Sequence, residues 1–361
     1  MVQYGYTVYK KKYSVSIAVD YKHNKIYEAK DKLAFYYKIS NSFSLFQRII
    51  NKIKSFNPPE CYQLREKIKF LNPKLIVVSQ GGTIESLQMF ELFIELQIPF
   101  VIITQLVTKT HLLRLNASNH PRYIDVYEKS IKNYFVSLNN LRLNESMLGY
   151  TSSNSEVIFN PYRFNQSVES YPTLNKGFQI AFVGRIEFYH KGIDLLLDVI
   201  GAIKWQERNV SFNFYGNGPH ELLLKKTIHN LKIKNVYIHG FTDDVVSIWN
   251  YNHACILTSR MEGQSLSLIE ALMCNRVAIV TNVGGASEII YDNITGFVAK
   301  EASVSAIDEA LERAWNRRFD WEQLGQIANE MLTQRIPEDA VLYFTDKLET
   351  LIRRLQIQTK K

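Results

Sequence analysis

Two carboxylates flank a predicted helix start within residues 258–271. Glu262 precedes Gly263, which suits a tight turn, and Ser265 is the predicted N-cap of the helix that follows. Backbone N–H groups at a helix start can bind a diphosphate without any side-chain charge. Glu262 would lie just before that anion and Glu270 more than one turn inside the helix. One molecule could therefore be held at both ends, with a sugar near Glu262 and a ribose near Glu270.

A second anion site is indicated about 75 residues earlier in the chain. Gly184 and Arg185 follow a predicted strand, and Lys191 and Gly192 open the next predicted helix. A guanidinium and an ammonium at the end of a strand, beside a helix start, could neutralise the charge on a departing nucleoside diphosphate. The alternative is two surface cations on a loop. The two glutamates favour the first interpretation.

Two further turns follow predicted strands. Residues 215–219 contain Gly216 but lack the three-glycine dinucleotide fingerprint, so the segment is either a close-approach turn of a ligand crevice or an ordinary turn. Residues 239–242 could contact a nucleotide base through their backbone, with Phe241 packed beside it. Phe241 could equally be a core residue.

A third strand-turn-helix junction spans residues 283–288. Gly284 and Gly285 are predicted to serve the backbone turn. Glu288 is predicted to cap its own helix rather than to contact a ligand.

Strand-like and helix-like segments alternate along the chain, which predicts an α/β protein with parallel sheets. At 361 residues, two domains are expected. We assign residues 1–165 and 166–335 to two doubly wound, Rossmann-like domains that face a central crevice, and residues 336–361 to a C-terminal helix that packs back on the first domain. The predicted strands are residues 74–79, 99–104, 134–138, 178–183, 210–215, 236–239, 254–257 and 277–281, and residues 157–162 end the first half.

The composition is that of an ordinary globular enzyme, with 46% apolar and 22% charged residues. No apolar run has the length of a membrane span, and no signal peptide is recognisable. Cys61, Cys255 and Cys274 are scattered and lack metal-ligand spacing, so we expect a reducing cytoplasm and neither disulfides nor a metal site.

The positive charge is concentrated near the N-terminus. Residues 1–70 contain 14 Lys and Arg against 5 Asp and Glu, a net +9, whereas the whole chain is +8. The surplus is either a solvated basic face, a surface that docks on an anionic membrane, or a site for an acidic or phosphorylated acceptor. No nucleic-acid-binding signature accompanies it, so nucleic acid is not expected as a partner.

In combination, these motifs resemble the nucleotide-binding domain of retaining glycosyltransferases of the GT-B fold, specifically family 4 (glycosyl transferases group 1). The pair Glu262 and Glu270, with seven residues between them, matches the two glutamates of that family. Five motifs occur in the same order over about 120 residues of the second half. The matching segments are residues 182–185 with 191–194, 215–219, 262–272, 283–288 and 293–297.

The resemblance implies a nucleotide-diphosphate sugar donor, UDP- or GDP-linked, no cofactor or metal, and transfer with retention. It assigns catalytic roles to Arg185 and Lys191 at the diphosphate and to Glu262 at the donor sugar, while Glu270 would bind the ribose hydroxyls. Backbone amides near Gln264 would meet the phosphates. The predicted donor-binding residues are Gly184, Gly216, Phe241, Gly263, Gln264, Ser265, Leu266 and Glu270.

The first half matches that family more loosely. The chain starts roughly where the family's second strand lies, at residues 5–8, so we predict that the first domain lacks its first strand through truncation or divergence. On the acceptor side, Gly81 and Gly82 could supply a turn in the crevice, and Gln105 stands where many relatives carry a histidine. His111 either lines the acceptor pocket or is a surface or capping histidine.

The function that follows is transfer of a sugar to a glycan or lipid-linked acceptor in cell-surface polysaccharide or lipopolysaccharide biosynthesis. We expect a cytoplasmic protein, peripheral on the inner face of the plasma membrane. Two alternatives stay open. The chain could be a GT-B relative that hydrolyses or epimerises a sugar nucleotide, or a non-catalytic relative that binds one.

Overall fold

A computed structural model describes residues 59–83, 85, 87–162 and 170–358. They form two α/β domains, each built on a parallel sheet with covering helices. The predicted fold class of two Rossmann-like domains is confirmed. The prediction about the missing first strand concerns residues 5–8, which lie outside the described residues.

The N-terminal sheet has the strand order β1-β2-β3-β4, and all its pairs are parallel. Strand β2 reads Phe-Val-Ile-Ile-Thr and is buried along its whole length, as expected for a strand covered on both faces. The elements in chain order are α1 (Pro59–Leu71), β1 (Ile76–Gln80), α2 (Leu87–Glu95), β2 (Phe100–Thr104), a 3-10 helix (Lys109–Arg114), α3 (His120–Lys129), β3 (Lys132–Phe135), α4 (Leu138–Leu148) and β4 (Ser155–Val157).

The C-terminal sheet has the strand order β10-β9-β8-β5-β6-β7 and is also parallel. Neighbouring residues of β5 enter different buried clusters, Ile180 and Phe182 one and Ala181 the other, so both faces of the sheet are packed. The strands are β5 (Phe178–Val183), β6 (Val210–Tyr215), β7 (Val236–Gly240), β8 (Ala254–Leu257), β9 (Val277–Thr281) and β10 (Gly296–Ala299). The helices are α5 (Phe188–Lys191), α6 (Ile193–Ile200), α7 (Ile203–Glu207), α8 (Glu221–Asn230), α9 (Val245–Tyr251), α10 (Leu266–Met273), α11 (Ala286–Ile289), α12 (Val304–Asn316), a 3-10 helix (Arg318–Asp320) and α13 (Trp321–Thr333).

Two strand predictions near the end of the first domain are wrong in extent. The strand predicted at 134–138 ends at Phe135, because Ser137 accepts a hydrogen bond from the backbone N–H of Asn140 and starts helix α4. The strand that the family resemblance places over residues 157–161 is β4, which ends at Val157, and one further backbone hydrogen bond joins the N–H of Ile158 to the carbonyl of Phe135 at 2.8 Å.

The last helix of the chain, α14 (Ala340–Gln358), lies on the N-terminal sheet. Leu348 belongs to one buried cluster with Val101, Ile103 and Tyr134, and Lys347 forms an ion pair with Glu156 of β4. The chain therefore returns to its first domain after completing the second. Among the described helices, none combines the length and the apolar character that a membrane crossing requires.

Candidate active site

A cavity of about 250 Å³ lies between the two domains. Gln105 directly follows strand β2 of the first sheet, and Arg185 lies just beyond strand β5 of the second. Ligands of doubly wound sheets bind at this carboxyl edge of the strands. The lining residues are Gln105, Leu106, Asn160, Arg185, His190, Lys191, Met261, Glu262, Gly263 and Gln264.

Lys191 and Glu262, predicted to act on the diphosphate and on the sugar, contact each other directly. The ammonium of Lys191 donates a hydrogen bond to Oε1 of Glu262, and both side chains are mostly buried. Ser259 donates a second hydrogen bond to the same oxygen at 3.2 Å. A cation and a carboxylate thus face the cavity in a fixed relation, which suits a substrate with an anionic and a hydroxyl-bearing part.

Helix α5 positions Lys191 through a capping carboxylate. Glu187 accepts hydrogen bonds from the backbone N–H groups of Tyr189 and His190. Burial alone would raise the pKa of Glu187, but these hydrogen bonds and the nearby cations outweigh it and lower that pKa. The short helix therefore starts at a fixed point and places Lys191 in its last position.

Arg185 is exposed at the cavity, and it makes no hydrogen bond or ion pair within the described part of the chain. Its guanidinium can therefore turn toward an anion without breaking an existing pair. The structure brings the three predicted catalytic residues Arg185, Lys191 and Glu262 around one cavity.

The glycines of the second domain allow close backbone approaches. Gly216 has φ +133°, and a Cβ there would clash with the carbonyl oxygen of Gly184. The turn at 215–219 therefore packs against the turn that carries Arg185. Gly184 and Gly216 are absent from the cavity lining and act through this backbone contact.

The loop before helix α10 is also closely packed. Gly263 lies against the backbone of Gln105 in the other domain, and a Cβ there would clash with the carbonyl oxygen of Gln105. Gly284 has φ +55° and packs on the carbonyl groups of Glu262 and Gly263, and Gly285 donates an N–H hydrogen bond to Gly263 at 2.7 Å. The two glycines serve the backbone turn, as predicted.

Helix α10 begins at Leu266 with Ser265 in the N-cap position, as predicted. The side chain of Ser265 does not bond the helix backbone and instead contacts the hydroxyl of Ser267 at 3.0 Å. Gln264 lines the cavity, but its side-chain oxygen accepts a hydrogen bond from the backbone N–H of Asn160 at 2.6 Å. The backbone N–H groups at this helix start therefore have no competing side-chain cap from Ser265.

Glu270 lies one turn inside helix α10, largely buried and outside the cavity lining. Burial raises the pKa of its carboxyl to about 7. Within the described residues, its carboxylate makes no hydrogen bond that would offset this burial. A carboxyl pKa raised this far is typical of functional sites.

On the acceptor side, only Gln105 among the four predicted and described residues lines the cavity. Gly81 is exposed, whereas Gly82 is buried beside the imidazole of His111. His111 accepts a hydrogen bond from the N–H of Thr108 at 3.3 Å and caps its 3-10 helix, and burial lowers its pKa. The capping interpretation is therefore supported, and the surface interpretation of His111 is wrong because its side chain is buried.

Two predictions about the second domain need correction. Phe241 is 64% exposed, so the interpretation of Phe241 as a core residue is wrong, and its contact with a nucleotide base stays a prediction. Glu288 does not cap its own helix α11, since its carboxylate accepts hydrogen bonds from the N–H groups of Leu138 and Asn139 in the first domain. Sequence spacing alone does not reveal a cap 150 residues away.

Four residues that line the cavity are not predicted from the sequence: Leu106, Asn160, His190 and Met261. His190 and Met261 adjoin predicted residues, and the carbonyl of His190 accepts the N–H of Arg260 at 2.8 Å, which ties the two segments together. Because His190 and Met261 are next to Lys191 and Glu262 in the chain, the sequence could have indicated that they line the cavity. Asn160 carries no such signal, because its place depends on how the domains meet.

Comparison with known proteins identifies a family for the second domain. Residues 165–331 match the family described as Glycosyl transferases group 1. A poly(ribitol-phosphate) alpha-N-acetylglucosaminyltransferase of Staphylococcus aureus is 25% identical over 42% of this chain and 31% of its own length. The capsular polysaccharide biosynthesis glycosyltransferase CapM of Staphylococcus aureus is 27% identical over 58% of each protein. The chain therefore contains a Glycosyl transferases group 1 domain, and it spans well under two thirds of the length of these relatives.

Solved structures resemble nearly the whole chain. HepE of Anabaena, in complex with UDP and glucose, superposes with a TM-score of 0.71 at 13% identity over 97% of this chain and 94% of its own. A glycosyltransferase of Rickettsia africae has a TM-score of 0.72 at 16% identity over 97% of this chain and 93% of its own. At these identities the likeness establishes the two-domain GT-B fold.

Proposed function

We propose that the chain is a retaining glycosyltransferase of family 4 that transfers a sugar from a nucleotide diphosphate to a glycan or lipid-linked acceptor. The observation that carries the proposal is the Lys191–Glu262 pair beside Arg185 in a cavity that both domains line. The Glycosyl transferases group 1 match over residues 165–331 supports it independently.

In the proposed reaction, the charges at the cavity act on the leaving group and on the sugar. As the bond from the anomeric carbon to the phosphate oxygen breaks, its electron pair leaves with the diphosphate. Arg185 and Lys191 stabilise that negative charge, and Glu262 holds the sugar through its hydroxyls while positive charge develops on the ring. The acceptor hydroxyl bonds to the anomeric carbon on the same face, and its proton passes to the departing phosphate oxygen. The configuration is thereby retained.

The proposed donor and the proposed biosynthetic pathway are inferred from similar proteins. HepE was solved with UDP and glucose, and CapM is described as a capsular polysaccharide enzyme, so we propose a UDP-sugar donor and a role in cell-surface polysaccharide synthesis. GDP-linked donors and lipopolysaccharide acceptors belong to the same proposal. Arg185 and Lys191 supply the positive charge at the diphosphate, so the proposed donor site needs no metal.

The test is incubation with a panel of UDP- and GDP-sugars, with and without candidate glycan and lipid-linked acceptors. Nucleotide release that requires an acceptor is the expected result, and Lys191→Ala should reduce it about a hundredfold because one stabilising cation is lost. Lys225→Ala is the matched control, since Lys225 pairs with Glu221 on exposed helix α8. Release without any acceptor would identify a hydrolase, and binding without release a non-catalytic protein.

A further inference from the structure

The carboxylate of Glu288 joins the two domains. Its two oxygens accept hydrogen bonds from the backbone N–H groups of Leu138 at 3.0 Å and Asn139 at 2.7 Å. Those groups are the first two N–H donors of helix α4. The third donor, the N–H of Asn140, bonds the side-chain oxygen of Ser137 at 3.1 Å. A carboxylate at a helix N-terminus is favoured both by these donors and by the helix dipole.

This contact is connected to the predicted catalytic residues through few links. Glu288 lies on helix α11, which starts directly after Gly285. Gly285 donates its N–H to the carbonyl of Gly263, next to Glu262, and Glu262 pairs with Lys191. The position of helix α4 is thus transmitted to Glu262 through two hydrogen-bonded contacts and a short stretch of backbone.

Two other contacts cross the same boundary beside the cavity. Gly263 lies on the carbonyl of Gln105, and the side chain of Gln264 holds the N–H of Asn160. Gly263 and Gln264 both belong to the segment predicted to bind the donor. The donor segment therefore also forms part of the contact between the domains.

The cavity between the domains is small for the proposed donor. Its volume of about 250 Å³ lies below the roughly 300–1,000 Å³ of typical small-molecule sites, and a nucleotide sugar is larger than a typical small ligand. The cavity as described holds only part of a nucleotide sugar, and separation of the domains would open room for the rest. The contacts across the boundary would then have to re-form to complete the site.

We propose that Glu288 is a positioning residue that latches the first domain onto the donor loop and thereby fixes Glu262 against Lys191. We call its contact with Leu138 and Asn139 the Glu288 latch. The inference rests on the proposed transferase function for its effect on turnover, but the latch itself is a property of domain closure. Glu288 acts through other residues, so its loss should slow turnover more than it weakens binding of the nucleotide.

The experiment compares Glu288→Ala and Glu288→Gln with Ser303→Ala. Ser303 caps helix α12 inside the second domain, so the control removes a helix cap without touching the domain boundary. Three quantities are measured: the radius of gyration by small-angle X-ray scattering, the Kd for UDP by calorimetry, and kcat with the nucleotide sugar that the panel identifies.

For Glu288→Ala we expect a larger radius of gyration than in the wild type, with a kcat about tenfold lower and a Kd for UDP changed less than about twofold. Glu288→Gln keeps an acceptor oxygen but loses the charge. Its radius of gyration and its kcat should therefore lie between those of the wild type and those of Glu288→Ala. Ser303→Ala should match the wild type in all three quantities.

An unchanged radius of gyration in Glu288→Ala would overturn the latch, whatever the activity. Loss of UDP binding as large as the loss of turnover would also overturn it, because it would make Glu288 a nucleotide ligand. If no nucleotide sugar is turned over by the wild type, the proposed function fails, while the scattering comparison still decides the latch.

Discussion

The two glutamates that stand out in the sequence occupy different electrostatic environments. Glu262 is paired with Lys191 and accepts a hydrogen bond from Ser259, so its charge is compensated inside the cavity. Glu270 is largely buried, and burial raises its pKa to about 7. Their spacing was visible in the sequence, but this difference was not, since it depends on what packs around each carboxyl group.

The raised pKa predicts that UDP binding depends on pH. Below pH 7 the carboxyl of Glu270 is mostly neutral, and above pH 7 it is ionised and can accept hydrogen bonds from both ribose hydroxyls. Binding therefore favours the ionised form, so affinity should rise about tenfold between pH 6 and pH 8. Calorimetric titration with UDP across this range measures it.

The test variant is Glu270→Gln. Its control is Glu309→Gln, which changes an exposed ion pair on helix α12. We expect Glu270→Gln to bind UDP more weakly at pH 8 and to lose most of the rise in affinity, keeping only the part that comes from ionisation of the terminal phosphate of UDP, whereas Glu309→Gln keeps the wild-type profile. If Glu270→Gln keeps the full wild-type pH dependence, another group is responsible and the ribose assignment is wrong.

At the scale of elements, the sequence predicts several strand ends and a helix start of the second domain correctly. Strands β8 and β9 have the predicted ends, and Ser265 occupies the predicted N-cap. Local patterns sufficed because each strand is a short apolar run bounded by turn residues. The sequence does not predict helix α4, because its start overlaps the strand predicted at 134–138 and its capping by Glu288 comes from the other domain.

The close approach at Gly263 yields a prediction for this boundary. In Gly263→Ala the new Cβ would meet the carbonyl oxygen of Gln105, which is backbone and cannot move aside without shifting the domains. We expect kcat/KM to fall at least tenfold while far-UV circular dichroism stays unchanged. Steady-state kinetics on the identified donor measures it.

Gly81→Ala is the companion variant, because a Cβ at Gly81 meets no atom within 4 Å. It should keep the wild-type kcat/KM, since the structure places Gly81 outside the cavity lining. A Gly263→Ala enzyme as active as Gly81→Ala would show that the two domains need not meet at this point.

At the scale of the molecule, the candidate site exists only where the domains meet. The sequence predicted a crevice between two doubly wound sheets and most of the second domain's share of it. Of the residues that the first domain brings to the cavity, it predicted Gln105 but not Leu106 or Asn160, and Asn160 takes its place through an interdomain hydrogen bond with Gln264. Such contacts join residues far apart in the chain and carry no local pattern.

The basic N-terminal region predicts a salt-dependent association with anionic membranes. Residues 1–70 carry a net charge of +9, although most of them lie outside the described residues. Cosedimentation with anionic vesicles should fall as salt rises from 0.05 to 0.5 M, in about the range where the Debye length drops below 10 Å. Neutral vesicles are the control. Binding that ignores salt, or no binding, would remove the membrane proposal.

We propose that the cavity around Lys191 and Glu262 transfers a sugar with retention. The most direct measurement is proton NMR of the product formed from an α-linked UDP-sugar and an acceptor, read at the anomeric proton during the reaction. The account predicts an α-linked product and no signal from free sugar. A β-linked product, or free sugar alone, would contradict it.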